Sequence, residues 1–232
     1  ENEALLALSK LYLLTEDFVS ALQTSGRLIG RTRNLDSSVI EQVLTVYIQA
    51  ALKTQDFNKL KSIYRRLSNN DHRGYFLESL EDHLRNFSDN ELEKISKLFS
   101  REKDVYGKLN QIRLAYQENR LAEKQDLLQK LTQELDFNSE PVFYSDLLYF
   151  LMVLKQPWVD IFRRINQEKA DALLAFMCNS RPKVKELVEP FVQSLSAFED
   201  FSRLCLSRML LKNTLLFCNL SDEEYPRLFN LY

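Results

Sequence analysis

Two histidines and three cysteines are the side chains of this sequence best suited to nucleophilic, general-base or soft-metal chemistry, and their spacing argues against each use. His72 and His83 stand eleven residues apart. On one helix that is about three turns and roughly 16 Å, too far to share a metal ion. Asp71, Glu81 and Asp82 beside them are what a solvated helix face ordinarily carries. Cys178, Cys205 and Cys218 form an odd set with no C-x-x-C pair and no neighbouring histidine, which speaks against a zinc site or a disulfide framework. Each lies in an apolar helical stretch, so all three are expected to be core residues in a reducing compartment.

The remaining chemical signatures are absent from the chain. No phosphate-binding G-x-x-x-x-G-K-[ST], G-x-G-x-x-G turn, G-x-S-x-G elbow or H-E-x-x-H pair occurs, and four glycines leave little material for a backbone phosphate cradle. Glu78 with Asp82, Glu91 with Lys94 and Glu93 with Lys97 sit one helical turn apart, the arrangement of solvated helix faces. The expectation is therefore a protein that is not an enzyme, with no catalytic, cofactor-binding or metal-binding residue and no cofactor.

Basic residues are arranged more suggestively. Arg27, Arg31 and Arg33 close one helical segment, and Lys59, Lys61, Arg65 and Arg66 run along another. Stacked helices would gather them into a ridge able to meet phosphates or an acidic peptide, with Tyr64 available for stacking. The competing explanation is that cations near helix C-termini offset the helix dipole. Net charge does not decide between them, because 31 basic residues are balanced by 33 acidic ones.

The elements that must position these residues are helices. Four Gly and five Pro in 232 residues are too few for the tight turns of an all-β fold, whereas 45% apolar content supports a real core. The chain is expected to be all-α, built of stacked antiparallel helix hairpins. Residues 4–29 carry apolar side chains at Leu5, Leu8, Leu11, Tyr12, Phe18, Ala21, Leu22 and Leu28, a helical spacing interrupted at Thr15, Glu16 and Asp17. A second hairpin is expected after Asp36, with Ser38 and Glu41 as a capping box. Its Gln55, Asp56 and Phe57 echo Glu16, Asp17 and Phe18 at an offset of 39 residues, and Leu44, Tyr47, Ala51, Leu60, Tyr64 and Leu67 keep the same offset. Further helices are expected behind Asp71, behind the capping box of Ser88 and Glu91, and on either side of a break at Glu118–Arg120. Beyond Pro141 the helices are more apolar, with starts at Pro157, near Glu168, at Pro182, at Ser196 with Glu199, and at Ser221 with Glu224. The expected division is residues 1–136 as hairpins and 137–232 as a helical bundle or cap.

Leu5, Leu8, Ser9 and Tyr12 stand at the spacing of W-x2-L-G-x2-Y, and Ala21 and Ser25 at that of A-x3-F, so the first hairpin resembles the tetratricopeptide-repeat family. Leu5 replaces the Trp, Ser9 the Gly and Ser25 the Phe, and no Pro closes the repeat. The resemblance implies a partner face on the first helix of each hairpin, here Ser9, Lys10, Thr45 and Gln49. It implies an interaction scaffold for a partner protein, within a larger protein or complex; the alternative is a helical-repeat RNA-binding module that uses the basic ridge. No small-molecule substrate is expected. No apolar run approaches the roughly 20 residues that span a bilayer, so no membrane partner is expected and an intracellular location, cytoplasmic or nuclear, is the expectation. The missing initiator Met suggests a fragment of a longer chain or a processed form.

Overall fold

The computed structural model describes residues 1–30, 36–67, 69–84, 87–181, 183–194 and 201–231, and among these all regular structure is helical. The chain divides into two compact units, residues 1–101 and 102–232. The first holds α1 (Asn2–Leu14), α2 (Phe18–Ile29), α3 (Ser37–Lys53), α4 (Phe57–Arg66), α5 (Asn70–Leu84) and α6 (Asp89–Phe99). The second holds α7 (Val105–Gln117), α8 (Gln125–Glu134), α9 (Ser145–Val153), α10 (Val159–Phe162), α11 (Gln167–Ser180), α12 (Val184–Ser194), α13 (Phe201–Phe217) and α14 (Glu224–Leu231). Short 3-10 turns at Leu121–Lys124 and Val142–Tyr144 lead into α8 and α9. The boundary expected at 136/137 falls inside the second unit, where Tyr116 of α7 bonds to Tyr149 of α9 across it.

One turn type ends four helices. Glu16, Gln55, Asn119 and Lys155 all take left-handed backbone, with φ of 61°, 55°, 57° and 54°. At the first, Glu16 N–H donates to Leu13 O and Asp17 N–H to Tyr12 O, at 3.2 and 2.9 Å; at the second, Gln55 N–H donates to Leu52 O and Asp56 N–H to Ala51 O, at 3.1 and 2.9 Å. The pairs Asn119 with Arg120 and Lys155 with Gln156 repeat the pattern onto Tyr116, Ala115, Met152 and Leu151. These are Schellman closures, which satisfy the last carbonyls of a helix and reverse the chain. The 39-residue offset between Glu16 and Gln55 is thus a repeat of turn geometry as well as of sequence.

Between α1 and α2 the small side chains allow close approach. Ser9 and Ser25 are fully buried, and their hydroxyls donate to Leu6 O and Ala21 O inside their own helices, so neither leaves an unsatisfied polar group. Tyr47 of α3 lies against α2 at Gly26, where an added Cβ would come within 3.3 Å of its ring. Burial there pushes the Tyr47 phenol up to about 12, with the nearby Asp56 charge adding to the effect. Further along, Tyr64 of α4 sits between Phe76 of α5 and Phe99 of α6, with ring centroids 5.7 and 5.6 Å away, and the Arg73 guanidinium covers it at 5.4 Å. Tyr64 is therefore a core residue and is not open for stacking on a base.

Helix starts follow local side-chain chemistry. Asp17 accepts from Ser20 N–H at 3.1 Å, Ser88 and Glu91 form the expected capping box, and Ser221 with Glu224 form another. Ser38 and Glu41 do not: α3 begins one residue earlier, at Ser37, with Asp36 in the N-cap position. Pro182, Ser196 and Glu199 lie outside the described residues.

The second unit is built on α9, whose residues Ser145–Met152 are all buried. A helix this apolar has no solvent face and must be packed on every side. Gly107 in the first turn of α7 is forced by the close approach of the chain entering that helix, because a Cβ there would fall 2.1 Å from the Glu102 carbonyl oxygen.

Candidate functional site

In the first unit, α1 buries only Leu6 and Ser9. Its other aliphatic side chains reach solvent: Leu8 is 37% exposed, Leu11 54% and Leu14 80%, and Val19 at the start of α2 is 58% exposed. Leu8, Leu11 and Leu14 recur every three residues and so share one helix face. Apolar residues all round a helix mark a helix made to be covered, and a contiguous exposed aliphatic patch is the usual sign of a protein docking surface. Lys10 borders this face and donates to Gln42 of α3.

The internal offset shows what kind of object fits there. Displaced by 39 residues, Ala4, Leu8 and Leu11 correspond to Val43, Tyr47 and Ala50. All three of the latter are buried, and Tyr47 is seated against Gly26 of α2. The face of α3 that receives an amphipathic helix has its counterpart in the exposed face of α1.

The residues expected to bind partners are scattered by comparison. Lys10 is exposed, Thr45 and Gln49 are half-buried, and Thr45 Oγ1 lies 2.9 Å from Tyr75 Oη. Ser9 is buried at a helix crossing and cannot reach a partner. Of the basic ridge, Arg27, Arg65 and Arg66 are exposed, whereas Lys61 turns inward to donate to Leu98 O of α6 at 3.0 Å. Arg31 and Arg33 lie outside the described residues. No family model, curated protein or solved structure matches the sequence.

Two features of the second unit also concentrate chemistry. A groove of about 480 Å³ is lined by Val159, Phe162, Ala170, Leu206 and Met209, with Arg163 and Arg208 beside them. Its one thiol, Cys205, is exposed and has no base among the lining residues. Deeper in the unit, Asp146 of α9 is 2% exposed and takes charged hydrogen bonds from Arg113 of α7 at 2.8 Å and from Arg181, just beyond α11, at 2.5 and 2.8 Å. Burial pushes its carboxyl pKa up, but the two guanidiniums more than offset that and hold it below the ordinary carboxylate value. Arg181 also lies over Phe150 and Tyr149, 5.4 and 5.7 Å from their ring centres. With both guanidiniums turned onto one carboxylate, the cluster ties three helical segments together.

Sequence reasoning missed the exposed apolar face of α1, although its signal was present. Ala4, Leu5, Leu6, Leu8, Leu11, Leu13 and Leu14 occupy more of the helix circumference than one hairpin partner can cover. Cys205, exposed, and Cys218, half-buried, depart from the core placement expected of them; only Cys178 is a core residue.

Proposed function

We propose that this chain is a non-catalytic helical scaffold that holds a partner protein, and that the exposed face of α1 with Val19 receives an amphipathic helix of that partner. The carrying observation is the equivalence of Leu8 with Tyr47: the second side chain seats against α2, and the first occupies the same register on an uncovered helix. The tetratricopeptide-like spacing of the first two hairpins and their shared Schellman turns support the same reading, since stacked hairpins of this kind receive amphipathic helices face to face. RNA binding is the weaker reading, because Tyr64 is enclosed by Phe76, Phe99 and Arg73 and Lys61 is bonded to Leu98 O.

The test is size-exclusion chromatography of a native cell extract, comparing the wild-type chain with the Leu11→Asp, Leu14→Asp double variant. The wild type is expected to elute in a larger complex and the variant at its own size. Equal elution of the two in one complex would overturn the assignment of this face.

A further inference from the structure

Two of the three cysteines meet in the second unit. Cys178 lies in the last turn of α11 and Cys218 follows α13 directly. Cys218 Sγ is 3.5 Å from the Cys178 carbonyl oxygen, and Cys178 Sγ is 3.7 Å from Thr214 Oγ1, one helical turn before Cys218. Thr214 gives its own proton to Leu210 O at 2.8 Å, so it is not committed to either sulfur as a donor. The two thiols differ in surroundings: Cys178 is 1% exposed and Cys218 is half-buried. A cation stands beside the more accessible one, since Lys185 of α12 donates to Asn219 O at 3.0 Å and to Glu224 of α14 at 2.7 Å.

We propose that Cys218 and Cys178 are an oxidation-sensitive pair, in which Cys218 reacts with a peroxide and Cys178 then closes an intramolecular disulfide between the ends of α11 and α13. The chemistry balances in two steps. The Cys218 thiolate attacks one peroxide oxygen, the O–O bond breaks, and the sulfur is oxidised to a sulfenic acid as a proton completes one water. The Cys178 sulfur then attacks the Cys218 sulfur, the S–O bond breaks, and the departing hydroxide takes the Cys178 proton as a second water. Two thiols and one hydrogen peroxide thus give one disulfide and two waters.

The order of attack follows from position. Cys218 is half-buried and meets the oxidant first, whereas Cys178 is 1% exposed; the neighbouring Cys178 side chain lowers the Cys218 pKa, partial burial opposes it, and the Lys185 ammonium adds to the lowering against the Glu224 charge. The neighbouring Cys218 side chain, together with burial, pushes the Cys178 thiol up against its contact with Thr214, which leaves it the proton-bearing, resolving partner. Cys205 supplies an internal control, being exposed and placed apart from this pair on α13.

The test treats the folded chain with hydrogen peroxide, blocks remaining thiols with N-ethylmaleimide and maps the products by mass spectrometry. The expected product has lost two hydrogens, joins the peptides that contain Cys178 and Cys218, and still carries an alkylated Cys205. Cys218 should lose alkylation several-fold faster than Cys205. In Cys178→Ala, Cys218 should instead accumulate as a sulfenic acid trapped by dimedone. Oxidation of Cys205 ahead of Cys218, or a wild-type product whose only disulfides join two chains, would overturn the proposal. The wild-type measurement decides even if the variant fails to fold.

Discussion

At Asp146 a single buried carboxylate answers two guanidiniums, and removing its charge takes away the anion that both of them face. Breaking a buried ion pair on one side costs about 3–5 kcal/mol. Asp146→Asn is expected to lower unfolding stability by that order at pH 7, measured by urea denaturation followed by circular dichroism. The sign of its pH dependence is set by the lowered folded pKa. The stability Asp146 contributes is fully present above its unfolded pKa of about 3.9 and is lost as pH falls through the lower folded value. The gap between wild type and variant should therefore narrow only in acid below about pH 4. Gly107→Ala is expected to cost about 1–3 kcal/mol, because the new Cβ meets backbone that no rotamer change can move. The Asp146 cluster was not legible beforehand: Arg113 and Arg181 stand 33 and 35 residues from Asp146, and no local pattern joins charges over that distance. Tyr64 was readable, since Leu60, Ile63, Tyr64 and Leu67 form one apolar stripe that carries it inward.

Among the elements, the Schellman turns carry the clearest prediction. Left-handed backbone is disfavoured for side chains that have a Cβ, by about 1–2 kcal/mol, and is free for glycine. Part of that gain is lost to the greater entropy of glycine in the unfolded chain. Gln55→Gly and Lys155→Gly are each expected to raise stability by up to about 1 kcal/mol in thermal melts. Ser62→Gly, in the interior of α4, should lower it by about 0.5–1 kcal/mol. The turns at Glu16 and Gln55 were legible from their matched polar triplets, and that at Asn119 from the break in apolar rhythm. The turn at Lys155 carries no such mark, because Leu154 continues the apolar run and Pro157 drew the boundary two residues late. Helix class was legible throughout for a compositional reason: few glycines and prolines, and apolar residues at helical spacing.

For the whole molecule, the division into units 1–101 and 102–232 follows which helices pack together rather than where composition shifts. Pro141 and the more apolar sequence after it drew the expected boundary, yet α7 belongs with α9 through the Arg113–Asp146 pair and the Tyr116–Tyr149 contact. The face proposed for a partner was half legible. Spacing pointed to α1 and to the first helix of the next hairpin, but to polar positions such as Ser9, whereas the exposed residues are Leu8, Leu11 and Leu14. Because these aliphatic side chains already face solvent, Leu11→Asp with Leu14→Asp should change unfolding stability by no more than about 0.5 kcal/mol per site, which separates loss of a partner from loss of fold. The most direct measurement of the scaffold assignment places a photo-crosslinking amino acid at position 11, and in a second chain at exposed position 62, and irradiates both in living cells. Position 11 is expected to link to one protein through a helical, amphipathic segment, the adduct is expected to survive nuclease, and position 62 is expected not to give it. Adducts at position 11 that nuclease removes, or the same products from both positions, would contradict the assignment.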